Sequence, residues 1–205
     1  MKRVKIDPER KGKGRPREFD TEKALDAALR IFWQKGYEGA GLTDLTKAMG
    51  INRPSMYAAF GNKETLFRKV MDRYAKRSQA CAEKEMAAGS SRDVAERLLR
   101  GAADSFTQCG SPAGCFLVQG AMACSEAKDP LQREVAARRA KMEAMLRERF
   151  ACGTSSAGDL PGKKSACEMA AFVSTVMHGM AVQAANGMTR EMLHRVVDVA
   201  MRAWK

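Results

Sequence analysis

Apolar residues recur along the chain at three- and four-residue intervals, the spacing of helices that bury one face. The first such stripe, Ala24, Leu25, Ala28, Ile31 and Phe32, predicts a helix from about Thr21 to Lys35. Asp20 or Thr21 can cap it, and Gly36 is placed to end it. Trp33 falls off the middle of the stripe and is expected to pack against the following helix, while Tyr37 and Leu42 fold back on the core. Leu45, Ala48 and Met49 give a second, shorter stripe, with Thr43 as its expected cap and Gly50 as its stop. After the apolar plug Ile51, Asn52 is a good N-cap and Pro54 suits a first helical turn, where its missing N–H costs nothing. A third helix then runs through Ser55, Met56 and Tyr57 to Phe60.

The rest of the chain repeats the helical period. Leu66, Phe67, Val70, Met71 and Tyr74 predict one long helix from Glu64 to about Met86. A break at 87–91 follows, with Ser90 or Ser91 capping a helix to about Gln108 through Val94, Leu98, Leu99, Ala102 and Phe106. Beyond a second break at 110–114, residues 115–127 are nearly all apolar or small and predict a central, buried helix. Pro130 fits the first position of another helix, which continues through Val135, Met142, Met145 and Leu146 to Phe150. The Gly/Ser-rich stretch 153–164 is expected to be a disordered loop. Two last helices, 165–186 and 189–204, flank Asn186-Gly187, and the second is expected to bury Met192, Val196, Val199 and Ala200 or Ala203. The whole is all-α, about nine helices, divided into a basic arm (1–17), a three-helix head (18–64) and a helical body (65–205).

Charge changes the picture most at the N-terminus. The chain carries a formal net charge of +12, which points to a polyanionic partner. Eight Lys/Arg and three acids fall in residues 1–18, a flexible arm with little to bury. The arm ends in Gly14-Arg15-Pro16-Arg17, which resembles the core of minor-groove AT-hook peptides, so Arg15 and Arg17 are candidate minor-groove or phosphate contacts. The basic start is not followed by an apolar stretch, so no secretory signal is expected. The apolar stretch Met169 to Ala185 is shorter than the roughly 20 residues of a spanning helix and holds Ser174, Thr175, His178 and Gln183, so no membrane contact is expected. The six cysteines include no CxxC pair, which suits a cytoplasmic chain with free thiols.

Two short helices joined by a Gly-containing turn describe a helix-turn-helix, whose second helix enters the DNA major groove. In the flanking sequences AALRIFWQKGYEGAGLTDLTKAMGI and FGNKETLFRKV, Phe32, Lys35-Gly36-Tyr37, Thr43, Ala48-Met49-Gly50-Ile51, Tyr57, Phe60 and Asn62-Lys63-Glu64 with Leu66 stand in fixed order. Over about residues 15–75 the chain resembles the N-terminal domain of the TetR family of bacterial transcriptional regulators. The remaining two thirds resembles that family in being helical and of the right length.

These readings assign DNA contacts. Asn52, Arg53 and Ser55 open the recognition helix, and Arg53 is the candidate for a bidentate guanine contact. Thr43 and the amides at its helix start suit a phosphate. By resemblance, Tyr57 contacts the backbone and Lys63 a phosphate. Ala58 and Ala59 stand where the family often has tyrosine and histidine, which removes two polar contacts. The wide apolar faces of the last two helices suit a four-helix bundle made by two subunits, and the resemblance implies the same homodimer on a palindromic double-stranded operator.

By the same resemblance the body encloses a small-molecule effector. Phe106, Cys115, Phe116, Gln119, Met122, Met142, Met145, Phe172, Met177 and His178 are candidate lining residues, mostly apolar with a few polar groups. No catalytic set is legible: His178 and His194 form no metal-binding pair, and no Gly-rich phosphate loop or nucleophile elbow occurs. No cofactor is expected. The resulting expectation is a DNA-binding repressor released by a small apolar or amphipathic ligand. Two alternatives stay open: a metal- or redox-responsive regulator using Cys and Met, and an architectural DNA-binding protein with no ligand.

Overall fold

The computed structural model describes residues 19–87, 89–122, 130–153, 160, 165–202 and 204, and among these all regular structure is helical. Arg15, Arg17, most of the 153–164 loop, residues 123–127, Ala203 and the side chain of Met122 lie outside the described residues.

Helix α1 (Thr21–Gly39) is capped by Asp20, whose carboxylate accepts from the amides of Glu22 and Lys23 at 3.0 and 3.1 Å. It does not stop at Gly36. That glycine takes φ 69°, kinks the helix, and allows one further turn. The kink carries Tyr37 back onto Phe32 and Phe67, with ring centroids 6.3 and 5.0 Å away. Helix α2 (Leu42–Met49) begins one residue before Thr43 and is capped by Gly41, so Thr43 is not its cap. This start turns Leu45, Thr46 and Met49 inward and leaves Ala48 exposed, against the expectation for Ala48. The buried Thr46 hydroxyl donates to the Leu42 carbonyl at 2.9 Å. Gly50 closes the helix in the left-handed region. Helix α3 (Arg53–Phe60) is capped by Asn52 as expected.

Helix α4 (Lys63–Met86) belongs to both halves of the molecule. Its first half, Leu66, Phe67, Val70 and Met71, closes the head core over α1–α3. Its far end, Ala82 and Met86, lies in the body core. The last carbonyls there have no helical partner. Arg97 donates to Glu85 O at 2.6 Å, and Arg149 donates to Met86 O at 2.8 Å and Gly89 O at 2.6 Å. The body comprises α5 (Ser91–Phe106), α6 (Phe116–Met122), α7 (Pro130–Gly153), α8 (Ala166–Ala185) and α9 (Arg190–Arg202). Capping boxes open α5 (Ser90 with Asp93) and α8 (Ser165 with Glu168).

Apolar burial and ion pairs are among the ties between head and body. Phe116 and Leu117 of α6 and Leu131 and Val135 of α7 are buried in the head core, each contributing about 1.5–3 kcal/mol if fully transferred from water. Around them, Arg68 pairs with Glu134 at 2.9 Å, and Arg138 donates to Asp72 at 3.1 Å. The last helix corrects its expected face. Leu193, Val197, Ala200 and Met201 point into the body, whereas Met192, Val196 and Val199 are exposed. Apolar residues cover more than one stripe of α9, and only the stripe facing α5 and α8 is buried within the protomer.

Candidate nucleic-acid interface

Helix α3 is anchored by Met56 and Phe60, both buried, so the opposite face is held outward. Arg53, Pro54, Tyr57, Ala58 and Ala59 are exposed on it. Asn52 Oδ1 accepts from the Ser55 amide at 2.8 Å, which fixes the helix start and half-buries Ser55. The far end is held too: Lys69 Nζ donates to Ala59 O at 3.1 Å and lies 5.5 Å from the centre of the Phe60 ring. Lys69 was not singled out in the sequence. A lysine that reaches a helix C-terminus from the next helix leaves no local spacing signal.

Thr43 and Arg53 meet across the turn, the guanidinium donating to Thr43 Oγ1 at 2.8 Å. Gly41 offers α2 no side-chain cap, so no capping side chain competes with an anion for the amides of that first turn. The one acid in the turn, Asp44, is paired with Lys35 at 2.7 Å. The Lys35 hydrogen bond and charge hold the Asp44 carboxyl below its ordinary range. At the start of α4, Lys63 Nζ sits 4.6 Å from the centre of the Tyr37 ring and donates to Glu38 O at 3.3 Å. The helix-turn-helix thus presents Thr43, Asn52, Arg53 and Tyr57 to solvent, with Lys63 beside the kink of α1.

The ten candidate effector residues do not form one group. Phe116 is buried among Trp33, Phe67 and Tyr74, with ring centroids 5.9, 5.7 and 5.6 Å away, and so belongs to the head core. Trp33 therefore packs on α4 and α6. Cys115 is half-buried and accepts a hydrogen bond from the Tyr74 hydroxyl at 3.5 Å. Burial first, then Cys115, pushes the Tyr74 hydroxyl far above its ordinary pKa, so it stays a donor. Gln119 accepts from the Trp33 indole N–H and donates to Ala113 O at 3.1 Å. Phe106 is buried in the body core, and Met142, Met145 and Met177 are half-buried against that core. Phe172 lines an open apolar groove with Val176, Met192, Arg195, Val196 and Val199. His178 is half-buried, and burial, then Arg139, pushes its imidazole pKa down against Glu143. Among the described residues no three His, Cys, Asp or Glu side chains gather as a metal site.

The arrangement can dock a helix in a groove while phosphates are held at the starts of α2 and α4. Comparison with known proteins agrees. Residues 24–70 match the family described as bacterial regulatory proteins, tetR family. The chain is 34% identical to the HTH-type transcriptional repressor ComR of Escherichia coli K12, over 95% of this chain and 93% of ComR. It is 31% identical to the repressor BdcR of the same strain, over 94% of this chain and 92% of BdcR. Among solved structures, a cysteine mutant of the TetR family regulator CifR, complexed with a 26-bp double-strand operator DNA, superposes with TM-score 0.86 at 38% identity, covering 93% of this chain and 100% of that one. The chain belongs to the TetR family, and it is a DNA-binding transcriptional regulator.

Proposed function

We propose that the protein is a cytoplasmic repressor that holds a palindromic operator as a homodimer and is released by a small apolar or amphipathic molecule. The observation that carries the dimer is the exposed apolar face of α9, Met192, Val196 and Val199, continuous with Phe172 and Val176 of α8. A second copy of the same two helices covers it with like chemistry and places two heads on one duplex. Each head contacts its half-site through Thr43, Asn52, Arg53, Ser55, Tyr57 and Lys63, with Arg15 and Arg17 reaching the minor groove. The names of ComR and BdcR support repression, and the operator complex of CifR supports DNA reading through the head.

The effector site proposed here is narrower than the ten sequence candidates. Cys115, Phe116 and Gln119 are engaged with the head, and Phe172 faces the groove. With the Met122 side chain outside the described residues, Phe106, Met142, Met145, Met177 and His178 remain, on the adjoining helices α5, α7 and α8. Methionines repack at low cost, which suits a ligand of loose shape. DNA favours one arrangement of the heads and the ligand another, so each weakens the other's binding by the same factor.

Selection of bound duplexes from a random pool by the purified full chain tests the reading. The expected result is a palindromic consensus with half-sites about 34–36 Å apart, or a multiple of that. A library of small apolar molecules, with Cu(I) and peroxide included, is then screened for release of the consensus duplex. DNA retention without a consensus would replace this reading with the architectural one. A Cu(I) or peroxide response in place of release by apolar compounds would replace the effector class.

A further inference from the structure

The turn between α5 and α6 is pressed from two sides. Gly114 has φ 91°, its amide donates to Phe106 O at 2.8 Å, and a β-carbon there would lie 2.6 Å from the Ala181 carbonyl oxygen of α8. The same β-carbon would lie 2.9 Å from Gln119 Nε2. Only glycine fits this position, and the fit sets the turn against α8. Gln119 Nε2 donates back into the turn, to Ala113 O at 3.1 Å, while Gln119 Oε1 accepts from the Trp33 indole of α1. Trp33 is itself set edge-on to Tyr74 at 5.2 Å. One carboxamide, with both ends used, therefore links α8 and its turn to the first helix of the head.

Of the other ties between head and body, the Tyr74 hydroxyl bond to Cys115 is directional too, but it runs to sulfur, a weak acceptor, at 3.5 Å. Phe116, Leu117, Leu131 and Val135 bury apolar surface, which opposes separation but is non-directional. Arg68–Glu134 and Arg138–Asp72 are partly solvated ion pairs, which hold orientation weakly. A hydrogen bond to an indole N–H has one good geometry, and here the indole is held by its packing on Tyr74 and Phe116.

We infer that Gln119 is a positioning residue that fixes the angle of the DNA head on the body through Trp33, and so sets the half-site spacing the regulator accepts. It touches neither operator nor effector. The inference rests on the homodimer reading, since a spacing exists only between two heads.

The test uses the full-length protein, its Gln119→Leu variant, which keeps bulk and removes both hydrogen bonds, and its Trp33→Phe variant, which removes the N–H donor and part of the ring while keeping an aromatic side chain. The readout is the ratio of Kd values for the selected consensus duplex with one base pair inserted between half-sites and for the uninserted duplex. The insertion displaces one half-site by about 3.4 Å and turns it by roughly 34°. The wild type is expected to discriminate by about tenfold or more, the cost of disturbing contacts at one or more base pairs. Each variant is expected to cut that ratio at least about threefold, and the double variant no further than either alone, because both break one link.

A merely structural role would lower Tm and weaken both duplexes equally, leaving the ratio fixed. An unchanged ratio in either variant, shown to be folded and dimeric by circular dichroism and sedimentation, overturns the inference. If Gln119→Leu does not fold, Trp33→Phe decides alone. A monomeric wild type by sedimentation would overturn the homodimer reading and this inference together, whereas a dimer with an unchanged ratio overturns only the inference.

Discussion

The outward face of α3 and the outward face of α9 are both open to solvent, but they carry opposite chemistry. On α3 the exposed positions are Arg53, Pro54, Tyr57, Ala58 and Ala59, with Thr43 and Asn52 alongside. Hydrogen-bonding groups there stand on a small backbone-proximal surface, which fits a partner rich in acceptors and charge. On α9 the exposed positions are Met192, Val196 and Val199, and the groove beside them is almost wholly apolar. Such a surface gains nothing from hydrogen bonds and much from exclusion of water. Each face thus states the chemistry of what completes it: a duplex for the first and, in the proposal above, a second copy for the second. In that proposal the two completions are linked, because two heads gain avidity only when the second face is covered.

That link gives the largest expected effect. Val199 is 62% exposed, so a glutamate there is solvated in a lone protomer but buried in the proposed four-helix bundle, where Arg195 one turn earlier does not repay its desolvation. Val199→Glu is expected to give a folded monomer by sedimentation and to lose about 100-fold or more in operator affinity, the loss of the intramolecular second contact. A variant that stays dimeric would move the interface off α9. The next effects lie on the other face. Arg53→Ala should cost about 1–3 kcal/mol on the consensus duplex and little on random DNA. Lys63→Ala should weaken both and lower the salt slope by about 1. These are read by Kd at several salt concentrations, and equal losses on both duplexes for Arg53→Ala would sink its role as a base reader.

Local signals were legible in the sequence and non-local ones were not. Asp20, Asn52 and Ser90 cap the helices expected of them because a cap is decided within four residues. Thr43 failed as a cap because Gly41, two residues earlier, allows the helix to start sooner, and a threonine at the second helical position reads the same in sequence. Gly36 has the sequence context of a stop and is a kink, since positive φ at one residue does not prevent the chain from resuming a helix. The α9 stripe was misassigned by one position: Val196, Val197, Val199 and Ala200 are all apolar, and periodicity alone does not choose between two adjacent faces. Trp33 and Gln119 lie 86 residues apart, so their pairing had no sequence signature. The exposed positions Thr43, Asn52, Arg53 and Tyr57 were legible as candidate contacts because they sit in one short unit of fixed spacing. The effector candidates were not, because burial sorts them among the head core, the body core and the outer groove.

The smallest expected effect lies between the two faces and serves as a control on them. Burial, reinforced by Arg139, pushes the His178 pKa below its ordinary value, with Glu143 opposing. The unfolded chain therefore takes up a proton at higher pH than the folded one. The stabilising contribution is present above the unfolded pKa of about 6.5 and is lost as pH falls through the lower folded value. Wild-type Tm should accordingly drop more than that of His178→Gln between pH 7.5 and 5.5. The difference should stay below about 4 °C, the shift that roughly 1 kcal/mol produces in a domain of this size. His178 stands on neither open face, so the dimer fraction by sedimentation should be the same for both proteins across that range. Equal Tm profiles would mean that His178 titrates alike folded and unfolded. A loss of dimer confined to the wild type would place His178 at the α8–α9 surface instead of between α7 and α8.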